Sequence, residues 1–118
     1  MTVQRGDVVL VDWPFSSGAG GKPRPALVVQ NDRDNARLTN TILVMITSMT
    51  RRAPEPTQLL IDVSTPEGAL TGLHRNSVVN CVNLFTIEQV KVLRTIGKLS
   101  TTLLRQVNDC LRAALELP

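Results

Sequence analysis

The chain is dominated by short, nearly unbroken apolar runs. They are Val8–Trp13 (VVLVDW), Ala26–Gln30 (ALVVQ), Thr41–Thr47 (TILVMIT), Gln58–Val63 (QLLIDV) and Ser77–Phe85 (SVVNCVNLF), and Arg94–Leu99 (RTIGKL) adds a more polar one interrupted by Gly97. Continuous β-branched runs bounded by turn formers read as strands covered on both faces. Only the end of the chain breaks this pattern. After Ser100, a good N-cap, Leu103, Leu104, Val107, Cys110, Leu111, Ala114 and Leu115 recur at helical spacing, leaving Arg105, Asn108, Asp109 and Arg112 for the wet face. Many strands and one helix in 118 residues leave little room for other architectures. The economical solution is mainly β (α+β): a small, strongly curved antiparallel β-barrel with a C-terminal amphipathic helix. No repeat, low-complexity tract or linker interrupts residues 1–118, which read as one domain.

Between the strands, Asn31-Asp32 are turn formers and the polar stretch 32–40 (DRDNARLTN) reads as a loop, as does 49–56 (MTRRAPEP). Ser64–Leu70 (STPEGAL) has the hydroxyl, proline and acid of a one-turn helix start. Ile87–Leu93 is expected to be a short irregular connection.

The first two runs are joined by a Gly- and Ser-rich loop that ends in Lys22-Pro23-Arg24-Pro25. Each proline fixes φ and lacks an amide donor, and the residue before a proline is pushed into extended geometry. Pro25 is compatible with a strand's first residue or an edge, so Arg24 is expected at the mouth of the second strand. A guanidinium is always charged and matches phosphate geometry.

Composition narrows the chemistry. A net charge of +3 and a pI of about 9.4 are compatible with a polyanionic partner. No apolar run approaches the roughly 20 residues that span a bilayer, and the start MTVQRGDVVLV lacks the pattern of a signal peptide, so a cytoplasmic protein is expected. Cys81 and Cys110 are far apart and read as free, reduced thiols, with Cys110 inside the helical stripe. His74 is the only histidine, so neither a His/Cys metal cluster nor a two-histidine acid/base pair is available within one chain. His74 itself, in the polar connection 72–76 (GLHRN), reads as a solvated loop residue. There is no G-x-S-x-G elbow or P-loop, and the carboxylates are too scattered for a two-metal nuclease.

What remains are cations and hydroxyls at strand ends: Arg24, then Thr47 and Ser48, then Arg51-Arg52. If the second and third strands are antiparallel neighbours, these groups fall at one end of the sheet. A guanidinium beside a hydroxyl can hold a phosphodiester and stabilise the charge that develops when phosphorus is attacked. RNA brings its own nucleophile, the 2′-OH, and needs no metal or covalent intermediate there. The competing reading is that Arg24 pairs with a nearby carboxylate and Thr47 is an ordinary strand residue.

Arg5-Gly6-Asp7-Val8, the Gly-rich loop, Arg24–Asp32 (RPALVVQND), Ile46-Thr47-Ser48, Gly72-Leu73, Asn76–Val79 (NSVV) and Thr86-Ile87 together resemble the MazF/PemK toxins over essentially the whole chain. The resemblance implies an SH3-like barrel of the CcdB/PemK kind, assembled as a homodimer. It implies the toxin of a type II toxin–antitoxin module, a metal- and cofactor-independent endoribonuclease that cuts single-stranded RNA to 2′,3′-cyclic phosphate and 5′-OH ends. The targets would be mRNA, or tRNA or rRNA, and an antitoxin's disordered tail would occupy the RNA groove. The family's catalytic Arg falls on Arg24 and its catalytic Thr on Thr47, and RNA contacts are implied for Phe15, Ser48, Arg51, Ser77 and Asn83. Trp13 is a stacking candidate that equally suits a core position. The chain departs from the family in two places: Ser17–Gly20 lacks the Glu many relatives carry, and Asn83 stands where some have Gln. The Gly-rich loop then reads as a gate over the groove. The alternatives are a CcdB-like gyrase poison and a non-catalytic RNA-binding barrel.

Overall fold

The computed structural model describes residues 2–13 and 22–118, with Trp13 described by its main chain. In order the elements are β1 (Asp7–Trp13), β2 (Lys22–Val28), α1 (Asp32–Arg37), β3 (Asn40–Thr47), β4 (Gln58–Ile61), α2 (Pro66–Ala69), β5 (Ser77–Glu88), a 3₁₀ turn (Gln89–Lys91), β6 (Val92–Lys98) and α3 (Thr101–Leu115). The strands form one six-stranded sheet in the order β4-β5-β3-β2-β1-β6. Every neighbour is antiparallel. The expected small antiparallel β fold with its C-terminal helix is what forms, as an open sheet with β4 and β6 at its margins.

Both faces of the sheet are buried, each by a different means. On one face α3 lays Val107 and Cys110, with Leu103, Leu104 and Leu111 beside them, over Val8, Leu27, Val44, Ile46, Val79 and Cys81. Each fully buried side chain of this size contributes about 1.5–3 kcal/mol. Ser100 caps the helix as expected, accepting from the Leu103 amide at 3.2 Å and donating to Glu67. On the other face Val9, Val11, Ala26, Val28 and Leu43 are fully buried although none of the three α-helices packs among them. Val3, Ile87, Met45 and Val92 belong to the same buried cluster, with Phe85 packed against it.

Several expected boundaries move, for identifiable reasons. The stretch 32–40 is not all loop: Asn31 caps α1 by accepting from the Asp34 amide at 2.9 Å, and Asp32 and Asp34 sit at its positive end with Arg37 at the other. Residues that suggest a turn are here a cap and its dipole partners. Asn108 is not simply solvated either, because Arg5 donates to its Oδ1 at 2.6 Å and to the Val29 carbonyl at 2.9 Å, tying α3 to the sheet. β4 stops at Ile61, whereas β5 runs on to Glu88 through an irregularity described below. The α2 turn starts as expected, with Thr65 accepting from the Gly68 amide.

Cys81 of β5 and Cys110 of α3 are both free, buried and in contact with each other. Burial, with the neighbouring thiol adding to it, pushes Cys81 up to about 12, and burial raises Cys110 as well. Both are therefore neutral at pH 8, where a thiol must ionise to attack. The native protein is expected to react negligibly with a disulfide reagent such as dithionitrobenzoate at pH 8 over minutes, and to release two equivalents of thiol in guanidinium. Rapid titration of either thiol in the folded state would contradict this burial.

Candidate active site

Two prolines open the site. The Val29 amide donates to the Ile42 carbonyl of β3 at 2.9 Å. Residues two apart in a strand direct their amides to the same side. Leu27, Pro25 and Pro23 therefore also face β3, and two of these three have no donor to offer. Accordingly the β2–β3 ladder runs Val28↔Leu43, Leu27↔Val44, Ala26↔Met45 and stops, while β2 continues to Lys22 paired only with β1. Arg24 is thus inside β2, opposite Val11, and not at the strand's mouth as expected. The prolines are accommodated because their missing donors point away from β1.

Where β2 and β3 part, a cleft of about 860 Å³ opens. Continuing the β2–β3 register by two residues brings Arg24 level with Thr47. Alternation places Arg24 on the face of Ala26 and Val28, and Thr47 on the face of Leu43 and Met45, so both side chains stand on the same side of the sheet. Thr47 Oγ1 accepts from the Met49 amide at 3.1 Å, which occupies a lone pair and leaves its own proton to donate. Arg24 is exposed, and among the described residues its side chain makes no ion pair or hydrogen bond. The competing expectation of an Arg24–carboxylate pair is not met among those residues.

The other sequence candidates distribute as follows. Ser48 and Arg51 line the cleft and are exposed. Ser77 lines it too, but is 4% exposed and donates its hydroxyl proton to the Arg75 carbonyl at 2.9 Å, so it shapes the loop that carries Arg75. Asn83 reaches the cleft from the irregular part of β5. Phe15, the Trp13 side chain and the Ser17–Gly20 segment lie outside the described residues.

Four side chains of the cleft were not singled out as contacts from sequence: Gln58, Asn80, His74 and Arg75. Gln58 and Asn80 come together only through the β4–β5 register, which sets them directly opposite. Their one signal in the sequence is polarity inside otherwise apolar runs. His74 is exposed, as a loop residue, and also borders the cleft. Arg52 is held by Glu55 in a two-pronged pair at 2.9 Å, and that pairing lowers the Glu55 carboxyl below its usual range.

The electrostatic result is one-sided. Among the described residues, Arg24, Arg51, Arg52 and Arg75 line the cleft and no carboxylate does. Among the described residues, no group of three or more His, Cys, Asp or Glu side chains is placed to hold a metal ion. The arrangement is suited to a polyanion with its phosphate set between a free guanidinium and a hydroxyl.

A family model of PemK-like, MazF-like toxins of type II toxin–antitoxin systems matches residues 4–115. The chain belongs to this family. Endoribonuclease MazF6 of Mycobacterium tuberculosis is 33% identical over 119 residues, covering 99% of this chain and 100% of that protein. Endoribonuclease EndoA of Bacillus subtilis is 31% identical, with 99% and 97% covered. Among solved structures, Mycobacterium tuberculosis toxin MazF-mt6 superposes with a TM-score of 0.77 at 25% identity, covering 95% of this chain and 98% of that one. A mycobacterial endoribonuclease solved with its cognate antitoxin has a TM-score of 0.79 at 24% identity, covering 98% and 97%, which speaks to the fold alone. Among the described residues, no helix of this PemK/MazF-like toxin is long and apolar enough to cross a membrane.

Proposed function

We propose that this chain, one domain over residues 1–118, is the toxin of a type II toxin–antitoxin module and a metal-independent endoribonuclease acting on single-stranded RNA. The observation that carries the reading is that Arg24, whose side chain has no partner among the described residues, lines one cleft with the Thr47 hydroxyl, and that the described lining holds guanidinium groups and no carboxylate. The naming of MazF6 and EndoA as endoribonucleases supports the same reaction. Membership of a toxin family of type II toxin–antitoxin systems supports a protein antitoxin as partner. The protein works as a homodimer in the cytoplasm.

In this reading the substrate's own 2′-oxygen attacks the adjacent phosphorus. The 2′-O–H and P–O5′ bonds break as the O2′–P bond forms, the 2′ proton passing to water and a proton from water completing the 5′-OH, so that the products are a 2′,3′-cyclic phosphate and a 5′-OH. Charge accumulates on the phosphoryl oxygens during attack, and a preorganised cation and donor stabilise it more than the ground state. Arg24 supplies the cation and hydrogen-bonds the departing oxygen. Thr47 donates its free proton to a phosphoryl oxygen, a direction fixed by the Met49 amide behind it. Phe15, Ser48, Arg51 and Asn83 hold the flanking nucleotides, with Ser77 supporting the wall.

The test is to incubate pure protein with a long RNA in EDTA and map the 5′ ends. Cuts are expected at one short recurring sequence, with ends that accept adaptor only after kinase treatment, and none in DNA of the same sequence. RNA left intact in EDTA would overturn the reading, and stalled gyrase–DNA complexes in its place would give the fold a non-enzymatic role.

A further inference from the structure

The floor of the cleft holds a side chain whose hydrogen-bonding sense is fixed. On β5 the pairing with β3 passes from Leu84↔Val44 to Asn80↔Met45, so Cys81, Val82 and Asn83 are bulged out of the ladder. Asn80 closes that bulge: its Oδ1 accepts from the Val82 amide at 3.2 Å and from Gln58 Nε2 at 2.9 Å. Gln58 is 6% exposed, and its Nε2 is also held by Thr57 Oγ1 at 3.0 Å. A backbone N–H must meet an oxygen, so the Asn80 amide cannot be turned the other way round. Its Nδ2 makes no hydrogen bond among the described residues, and no buried polar side-chain atom lacks a partner, so this group faces accessible space.

Asn80 also stands at the right place. Thr47 pairs with Val78, and Asn80 is the next residue on the same face of β5. That diagonal separation is about 7–8 Å. Both residues line the same cleft. A nucleotide next to a phosphate held at Thr47 therefore passes over an amide that can donate and cannot accept.

We infer that Asn80 reads one base beside the scissile phosphate through its Nδ2–H, selecting a keto base (U or G) over an amino base (C or A), with Gln58 as the residue that positions it. This rests on the ribonuclease reading above. The exocyclic 4- or 6-oxygen of U or G accepts a hydrogen bond, whereas the amine of C or A opposes one donor with another and leaves a desolvated group unpaired. A preference of roughly tenfold is the scale expected for one such bond.

The test measures cleavage motifs. The native protein is first given oligonucleotides in which each base of its motif is exchanged for the keto or amino counterpart, U with C and G with A. One position next to the cut is expected to show a roughly tenfold loss on keto-to-amino exchange. Asn80→Asp keeps the acceptor for Val82 and Gln58 but replaces the donor with an acceptor, so that position is expected to switch toward C or A. Gln58→Met removes one of the two donors to Oδ1 and leaves the Val82 amide, so the preference there should weaken without reversing while the other positions stay the same. A motif with no keto-selective position, or one unchanged in Asn80→Asp, overturns the inference and leaves the ribonuclease reading standing. Failure to cut any RNA overturns both.

Discussion

Replacing Arg24 by Ala is expected to lower the rate of RNA cleavage by about 10²–10³, the scale for losing one preorganised transition-state contact. Thermal stability should hardly change, because Arg24 is exposed and has no partner among the described residues. Arg24→Lys should recover only part of the rate, since an ammonium keeps the charge but not the two-pronged donor geometry. Thr47→Ala should be impaired to a lesser degree. If both side chains act on one phosphate, the double variant should fall little below Arg24→Ala alone, as groups acting as a unit are not additive. A single-turnover assay on a short oligonucleotide carrying the mapped motif reads all four. An Arg24→Ala rate within threefold of the native one would remove Arg24 from the chemistry.

A large loss of stability is expected from Gly97→Ala, at a position that does not line the cleft. Gly97 pairs with Val8 near the end of β6, and the turn after α2 crosses directly over it, with the Lys98 amide donating to the Leu70 carbonyl at 3.0 Å. A Cβ on Gly97 would stand 2.3 Å from the Thr71 carbonyl carbon and 2.4 Å from the Leu70 oxygen. Both are main-chain atoms, so no side chain can swing aside and the turn itself must lift. Overpacking of this kind costs about 3 kcal/mol. At roughly 4 °C per kcal/mol for a domain of this size, the melting temperature should fall by about 12 °C. The control is Thr95→Ala, an exposed position on the same strand, expected within about 0.5 kcal/mol of native. If Gly97→Ala melts within 2 °C of the native protein, the close approach is not real.

Legibility from sequence followed the physics of each element. The runs at Val8–Val11 and Thr41–Thr47 are strands because continuous β-branched chains covered on both faces have few alternatives, and α3 was plain from its stripe and its Ser100 cap. Asn31–Arg37 is ambiguous in the sequence because the same Asn and Asp side chains cap helices and make turns, and only the Asp34 amide's position decides between them. Gly97 looked like an interruption of a strand, when it is the place where another segment crosses. In the cleft, Arg24 and Thr47 are legible because few other groups remain once metal clusters, histidine pairs and nucleophile motifs are excluded, and because the family resemblance falls on both. Gln58 and Asn80 did not, because their meaning lies in a cross-strand register and a three-residue bulge, neither of which has a local signature.

Separating two strands of a sheet ordinarily creates a hazard. The parted margin of β2 offers a row of unpaired main-chain groups, the template on which another chain can add a strand and begin to aggregate. Here the amide protons that would welcome such a guest are missing at residues 23 and 25, on the side facing the gap. The feature that parts the strands therefore also makes the parted edge a poor template, so the protein can keep an open, positively charged seam without inviting edge-to-edge association with its own copies.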